Sequence, residues 1–325
     1  MLYFVLFIAA FVLCAVFLHL MRLVSFEKKI VNGAGIPLLG GIAVYLSIFH
    51  LIGVYNYFSR IPVSGIFLPA TVILILGLID DLKPLGPYIK IFTQAIAAAL
   101  LIMNNISMQI GFLPPAVNIL LTVFWVVLIT NAFNLFDIMD GLAGGLALII
   151  SGTFFALSLI TRNQEIGVLS ICLFGSLLAF LKWNFPPAKI YLGNAGSILL
   201  GFILSAVSLS ISYAVPGREV ALFTPLIILG LPLYDTGFVA LMRVLKGRSP
   251  IRKSKDHFAL RLLALGFSQR KALGFMYLFC IGFCICALLV NKAANPLGIA
   301  VIASLGLASF FLGARIAKVN IGELR

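Results

Sequence analysis

The sequence predicts an all-α, polytopic transmembrane bundle of about eleven spans, and three observations predict it. Of 325 residues, 62% are hydrophobic and 10% charged, against roughly 45–50% and about 25% in ordinary soluble domains. The mean hydropathy of +1.17 is more than a water-soluble globule can hide in its interior. The apolar residues also come in continuous runs, whereas membrane-barrel strands would alternate apolar and polar residues over about 10 positions. Soluble, disordered and collagen-like classes are therefore excluded.

The runs lie near 2–23, 38–58, 63–79, 88–106, 116–136, 142–160, 166–181, 194–214, 222–242, 273–291 and 296–314. A span takes about 20 residues, range about 17–25, so 63–79 and 166–181 are the short ones. The first run has no basic residue before it, exceeds a signal-peptide core in length, and is followed by Arg22, Lys28 and Lys29. It reads as a span rather than a signal peptide. No soluble domain, internal repeat or low-complexity tract interrupts the series, so residues 1–325 read as a single integral-membrane domain. The five cysteines lie in apolar runs without metal-ligand spacing and read as small core residues.

Charge orients the bundle. The chain carries 23 Lys+Arg against 10 Asp+Glu, net +13. With the N-terminus outside, 19 cations fall in inside loops and four outside, namely Arg60, Arg162, Arg218 and Lys292. The positive-inside rule then predicts an external N-terminus and a cytoplasmic C-terminus. The excess points to topology and to anionic lipids or substrates, not nucleic acid. The acids were not used in that choice, yet all six Asp (80, 81, 137, 140, 235 and 256) fall at or near the inside face. Carboxylates gathered there among Lys and Arg suggest a site for a charged ligand and a cation. A transporter would be expected to place charge nearer the bilayer midplane and to show paired repeats.

Four segments carry the chemistry. In Gly77-Leu78-Ile79-Asp80-Asp81-Leu82-Lys83, adjacent carboxylates repel and need a divalent cation or a lysine, Lys83 or Lys90. A solvated helix end is the plainer reading of that pair. In the segment from Asn131 through Asn134, Asp137 and Asp140 to Gly145, polar residues recur every third position. That spacing places each beside the next on a slowly turning helical face. Two amides and two acids suit oxygen ligation of Mg²⁺ or hydrogen bonding to a nucleotide. In the segment from Trp183 through Pro186-Pro187, Lys189 and Gly193-Asn194-Ala195-Gly196 to Ser197, the prolines force an extended connection. The glycines and Ser197 then open a helix whose N-terminus favours phosphate, or is simply capped. The fourth segment runs from Arg243 through Arg248-Ser249-Pro250, Lys255-Asp256-His257 and Arg261 to Ser268, with Asp235 preceding it. The nine cations from Arg243 to Lys271 suit anionic headgroups or a diphosphate, although plain membrane topology accounts for part of them.

Together these segments resemble the polyprenyl-phosphate N-acetylhexosamine-1-phosphate transferases. The branch they look most like is the bacterial undecaprenyl-phosphate GlcNAc-1-phosphate transferases. The match runs from Ile36-Pro37-Leu38-Leu39-Gly40-Gly41 to Gly266-Phe267-Ser268. The resemblance implies attack of a lipid phosphate on the β-phosphorus of a UDP-sugar, giving lipid-diphosphate-sugar and UMP. The cofactor would be Mg²⁺, or Mn²⁺ in its place. The site would lie on the cytoplasmic face of a bacterial inner membrane, and the product would start a surface polysaccharide or cell-wall glycan. By resemblance, Asp80, Asp81, Asp137 and Asp140 are catalytic, and Asn134 and Asn194 match metal-ligating positions. Arg248, His257 and Arg261 would face the sugar diphosphate, and Lys83, Asn131 and Lys189 complete the residues expected to bind substrate. The implied partners are polyprenyl phosphate, a UDP-N-acetylhexosamine, membrane lipids and a second copy in a homodimer. Three departures stand out. Asn194 replaces the Asp of the family's G-D-x-G-S. A family H-x-H-H cluster reads His257-Phe258-Ala259-Leu260, and the first inside loop has Asn32 where a basic-plus-His signature is usual. A neutral oxygen at 194 should bind Mg²⁺ more weakly, so the alternative expectation is a catalytically impaired relative that binds nucleotide-sugar or lipid phosphate.

Overall fold

The computed structural model describes residues 1–27, 31, 35–59, 65–211, 213, 217–247, 249 and 256–319. Thus Asn32 and Arg248 lie outside the described residues. Among those described there are thirteen α-helices and one 3-10 turn, and no strand beyond an isolated bridge between Val31 and Pro37. Each of the eleven apolar runs is helical over most of its described residues. Seven helices are long and apolar enough to cross a membrane, or eight if a bent pair counts as one span.

Residues Met1–Ser212 form one compact unit and Tyr213–Arg325 a second. The first holds eight helices: α1 (Leu2–Glu27), α2 (Gly40–Ser59), α3 (Phe67–Leu82), α4 (Pro87–Met103), α5 (Pro115–Phe136), α6 (Leu142–Thr161), α7 (Gln164–Asn184) and α8 (Gly193–Leu209). Of these α3, α4 and α8 have only 16, 17 and 17 residues, which is what keeps the count of long spans below eleven. Helix α8 is the axis of the unit, packed against α3, α5, α2 and α6. It buries fourteen of its 17 residues, as an all-round apolar helix must. Helix α7 packs between α1 and α6, and α1 leaves an apolar outer stripe of Phe4, Val5, Ile8, Val12 and Val16 exposed, as a lipid-facing helix would.

The second unit contains the 3-10 turn Glu219–Phe223, then α9 (Thr224–Ile228), α10 (Gly230–Leu245), α11 (Phe258–Ala264), α12 (Gln269–Lys292) and α13 (Asn295–Ala317). The ninth apolar run is therefore not one rod. It bends by 70° between Ile228 and Gly230, in a stretch that has Pro225, Gly230 and Pro232, the residues that punctuate helices. An aromatic cluster of Tyr234, Phe238, Phe258 and Phe279 ties α10, α11 and α12 together.

Candidate active site

The site of the first unit is built where helix ends converge on the start of α8. Gly77 permits it: a Cβ there would stand 2.3 Å from the Ala195 Cα, so only glycine lets α3 cross α8 this closely. Four residues on, Asp81 reaches the α8 N-terminus. Its Oδ1 accepts from the Asn194 N–H at 2.7 Å and its Oδ2 from the Ala195 N–H at 3.0 Å. Gly193, at φ +71, makes the turn into the helix. The anion-favouring N-terminus that the sequence predicted is real, but its anion is the protein's own carboxylate. Those two N–H groups are therefore occupied.

Asp80 is buried and points elsewhere. Its Oδ1 accepts from the Leu85 N–H at 2.8 Å, and its Oδ2 pairs with Lys90 Nζ at 2.5 Å. Lys90 stands on the first turn of α4, so the chain turn at Lys83–Gly86 brings it back over the end of α3. Lys83 is exposed. Of the two lysines weighed in the sequence, only Lys90 compensates the pair among the described residues.

The run of amides and acids divides between a helix and a turn. Asn131 and Asn134 lie on α5, which ends at Phe136 with Asp137 as its cap. Gly141, at φ +77, then starts α6 afresh, so the polar positions do not continue along one helical face. Asn131 Nδ2 donates to Gln94 Oε1 at 2.7 Å and to the Val127 carbonyl, tying α5 to α4. Asn134 Nδ2 donates to Asn194 Oδ1 and to Ser197 Oγ, each at 3.0 Å. The two positions matched to metal ligation thus stand side by side. The turn is held from the other flank. Asn184 Oδ1 accepts from the Gly141 N–H at 2.9 Å while its Nδ2 donates to the Ile190 carbonyl, and Asp140 Oδ2 accepts from the Ala188 N–H at 3.0 Å. The Ile36–Gly41 segment docks on the same strip: the Tyr191 N–H donates to the Pro37 carbonyl, and the Gly40 N–H donates back to Tyr191.

These contacts enclose a cavity of about 530 Å³ lined by Asp80, Asp81, Asp137, Asp140, Asn194 and Tyr191 among others, within the size range of ligand sites. Asp137 is the odd member. Its side chain has no hydrogen-bond or ion-pair partner among the described residues. Loss of hydration, then the charges of Asp81 and Asp140, push its carboxyl up to about 7. Burial and the neighbouring Asp140 and Asp137 likewise raise the Tyr191 phenol. Tyr191 and Asn184 sit in the third motif at positions that its pattern left unweighted, and no spacing rule marks them. Lys189 is exposed outside the cavity. Its Nζ lies 6.0 Å from the centre of the Trp183 ring, over which Arg22 also stacks at 4.5 Å.

Whether this cavity suits a divalent cation can be judged from its donors. Four carboxylates face one lysine, so the residual charge is negative and Asp137 lacks a counter-charge. No three His, Cys, Asp or Glu among the described residues close around one point. A cation held here would take Asp137 and the Asn194 carbonyl oxygen, with water or phosphate oxygens for the rest. Mg²⁺ is usually bound in that way, by one or two carboxylates with waters and substrate phosphates. The donor set fits.

In the second unit the predicted residues fall into a buried network. Arg261, 1% exposed, donates through Nη2 to Asp256 Oδ1 at 3.0 Å and through Nη1 to the carbonyls of Ile316, Ala317 and Val319. It closes the C-terminal end of α13. Asp256 also pairs with Lys246 Nζ. His257, 3% exposed, bonds through Nδ1 to Asp235 Oδ2 at 2.8 Å, and Asp235 Oδ1 accepts from the Phe258 N–H at 2.8 Å.

Comparison with known proteins decides the family. Residues 63–212 match the model of glycosyl transferase family 4. The chain is 32% identical over 277 residues to the probable undecaprenyl-phosphate N-acetylglucosaminyl 1-phosphate transferase of Bacillus subtilis, covering 82% of this chain and 76% of that one. It belongs to this family of transferases. The decaprenyl-phosphate N-acetylglucosaminephosphotransferase of Mycolicibacterium smegmatis is 31% identical over 75% of this chain and 69% of its own. The undecaprenyl-phosphate alpha-N-acetylglucosaminyl 1-phosphate transferase of Thermotoga maritima is 28% identical over 76% and 81%. The family match covers every lining residue of the acidic cavity except Leu38.

Proposed function

We propose that this family member transfers an N-acetylhexosamine 1-phosphate from a UDP-sugar to undecaprenyl phosphate or another polyprenyl phosphate. A lipid-phosphate oxygen forms a bond to the β-phosphorus, the bond from that phosphorus to the oxygen of the α-phosphate breaks, and UMP leaves with the electron pair. The product would begin a surface polysaccharide or cell-wall glycan. We place the reaction at the cytoplasmic face of a bacterial inner membrane, in a chain with eleven crossings and an external N-terminus. The 19-to-4 division of basic residues supports that topology. Cysteine labelling from each side of right-side-out vesicles tests it.

One observation carries the reading: a cavity lined by four carboxylates, one of them without a partner, at the helix ends of the unit that matches the family. A diphosphate and a lipid phosphate would be repelled by this cavity alone, so binding requires a divalent cation. Bound Mg²⁺, or Mn²⁺, would supply charge neutralisation of the diphosphate and of the leaving phosphate. The chain's own part is positioning. Asp137 and Asn194 would hold the cation. Asp140, fixed by the Ala188 N–H, would set the wall against the nucleotide end. Asp81 keeps the start of α8 in place beside Asn194, and Asp80 with Lys90 holds the adjoining turn. Asn131, which ties α5 to α4 through Gln94, and Arg248, His257, Lys83 and Lys189 are the remaining candidate contacts to the substrates. Purified protein with undecaprenyl phosphate, labelled UDP-N-acetylhexosamines and Mg²⁺ should release UMP and form a lipid-linked sugar. No product from any of them overturns the reading.

A second reading has its own observation. The Asn194 carbonyl oxygen is already engaged by Asn134, so its capacity for a metal is reduced. On that reading the chain binds nucleotide-sugar or lipid phosphate without turning it over. Asn194→Asp separates the two: turnover that appears only in this variant favours the impaired relative. A gain of about tenfold or less in Mg²⁺ affinity, on a chain that is already active, favours the enzyme.

A further inference from the structure

Asp235 has no place in the reaction described so far, yet both of its oxygens are engaged. It is 2% exposed on α10 and uses both oxygens on the next segment of chain: Oδ2 on His257 Nδ1 and Oδ1 on the Phe258 N–H, each at 2.8 Å. The second bond fixes the first. Because Asp235 grips the backbone at the start of α11 as well as the imidazole, the ring can neither slide along the helix nor flip without leaving an N–H buried and unpaired. A carboxylate accepts only, so the ring nitrogen facing it must carry the proton. The opposite nitrogen, Nε2, has no partner among the described residues. Asp256 is matched by Lys246 and Arg261, and Arg243 on α10 lies close enough to feel both Asp235 and Asp256.

We propose that Asp235 is a positioning residue for His257, holding the proton on Nδ1 so that the Nε2 lone pair is offered to a hydroxyl or amide N–H of the nucleotide-sugar. This rests on the transfer reaction proposed above. The arrangement follows the general rule that a group behind a histidine sets its tautomer and aim.

The ¹⁵N spectrum of histidine-labelled protein tests this directly, with the His257 signal identified by its loss in His257→Gln. At about pH 9, well above the ordinary imidazole range, wild type should show a protonated Nδ1 and a bare Nε2. A bare Nδ1 with protonated Nε2 overturns the proposal. Asp235→Asn should shift that tautomer and lower kcat/KM for the UDP-sugar by about 10- to 100-fold, mostly through KM. Asp235→Glu should recover most of the loss. Folded Asp235→Asn with an unchanged tautomer and KM overturns the proposal. If wild type turns over no UDP-sugar, the transfer reading fails while the wild-type spectrum still decides the dyad.

Discussion

The two units treat their carboxylates in opposite ways. In the second, every buried carboxylate described is answered: Asp235 by His257 and a backbone N–H, Asp256 by Lys246 and Arg261. In the first, Asp80 is answered by Lys90 and Asp81 by the α8 N-terminus, but Asp137 is answered by nothing described and is repelled by two neighbours. Compensated charge is what a fold needs to keep polar groups in its interior. Uncompensated charge opposes folding, and it persists where something from outside supplies the balance. The contrast separates scaffold from site more sharply than the residue types do, since both regions offer Asp and a cation.

The largest expected effect breaks the site side of this contrast. Asp137→Asn should lower UMP release by about 10²- to 10⁴-fold, read in a steady-state assay with saturating Mg²⁺. A loss of less than threefold would remove Asp137 from the site. Next comes the scaffold side. Asp256→Asn leaves the Arg261 guanidinium buried without its carboxylate, and unfolding in detergent should register a loss of about 3 kcal/mol. Asp256→Asn with Arg261→Met together should recover part of it. Smaller again is the difference between two lysines. Lys90→Met orphans a buried Asp80 and should cost about 1–3 kcal/mol, whereas Lys83→Met, on the exposed surface, should stay within about 0.5 kcal/mol of wild type.

That last pair shows what the sequence could convey. The DD motif and its need for a cation are visible in one dimension, but the identity of the cation depends on how the Lys83–Gly86 turn folds back, which no periodicity encodes. That Asp137, Asp140 and Asn194 line one cavity was legible because three motifs lie at the ends of apolar runs on the same side, and helix ends on one side converge. Tyr191 and Asn184 were not, because their roles come from backbone approach between the Ile36–Gly41 segment and the α7–α8 connection. Helicity of all eleven runs followed from continuous hydropathy. The break near Gly230 did not, although Pro225, Gly230 and Pro232 were there to suggest it, because an unbroken apolar run hides a bend. Arg261 was expected to face the diphosphate by resemblance, and its structural partners could not be foreseen. Its three carbonyl partners at the end of α13 lie 55 to 58 residues away, a distance at which sequence spacing carries no signal.

The central claim is that the first unit holds an acidic cavity completed by a divalent cation, and thermal unfolding with and without Mg²⁺ tests it most directly. With no cation bound, the raised Asp137 pKa makes the folded state release its proton later than the unfolded chain. Stability from this group should therefore fall as pH rises from the ordinary carboxylate value of 3.8 to about 7 and then level off. Above that range Asp137→Asn should melt higher than wild type in EDTA. Adding Mg²⁺ should raise wild type and leave the variant nearly unmoved. A variant that melts lower than wild type in EDTA, and gains as much from Mg²⁺, would contradict the account.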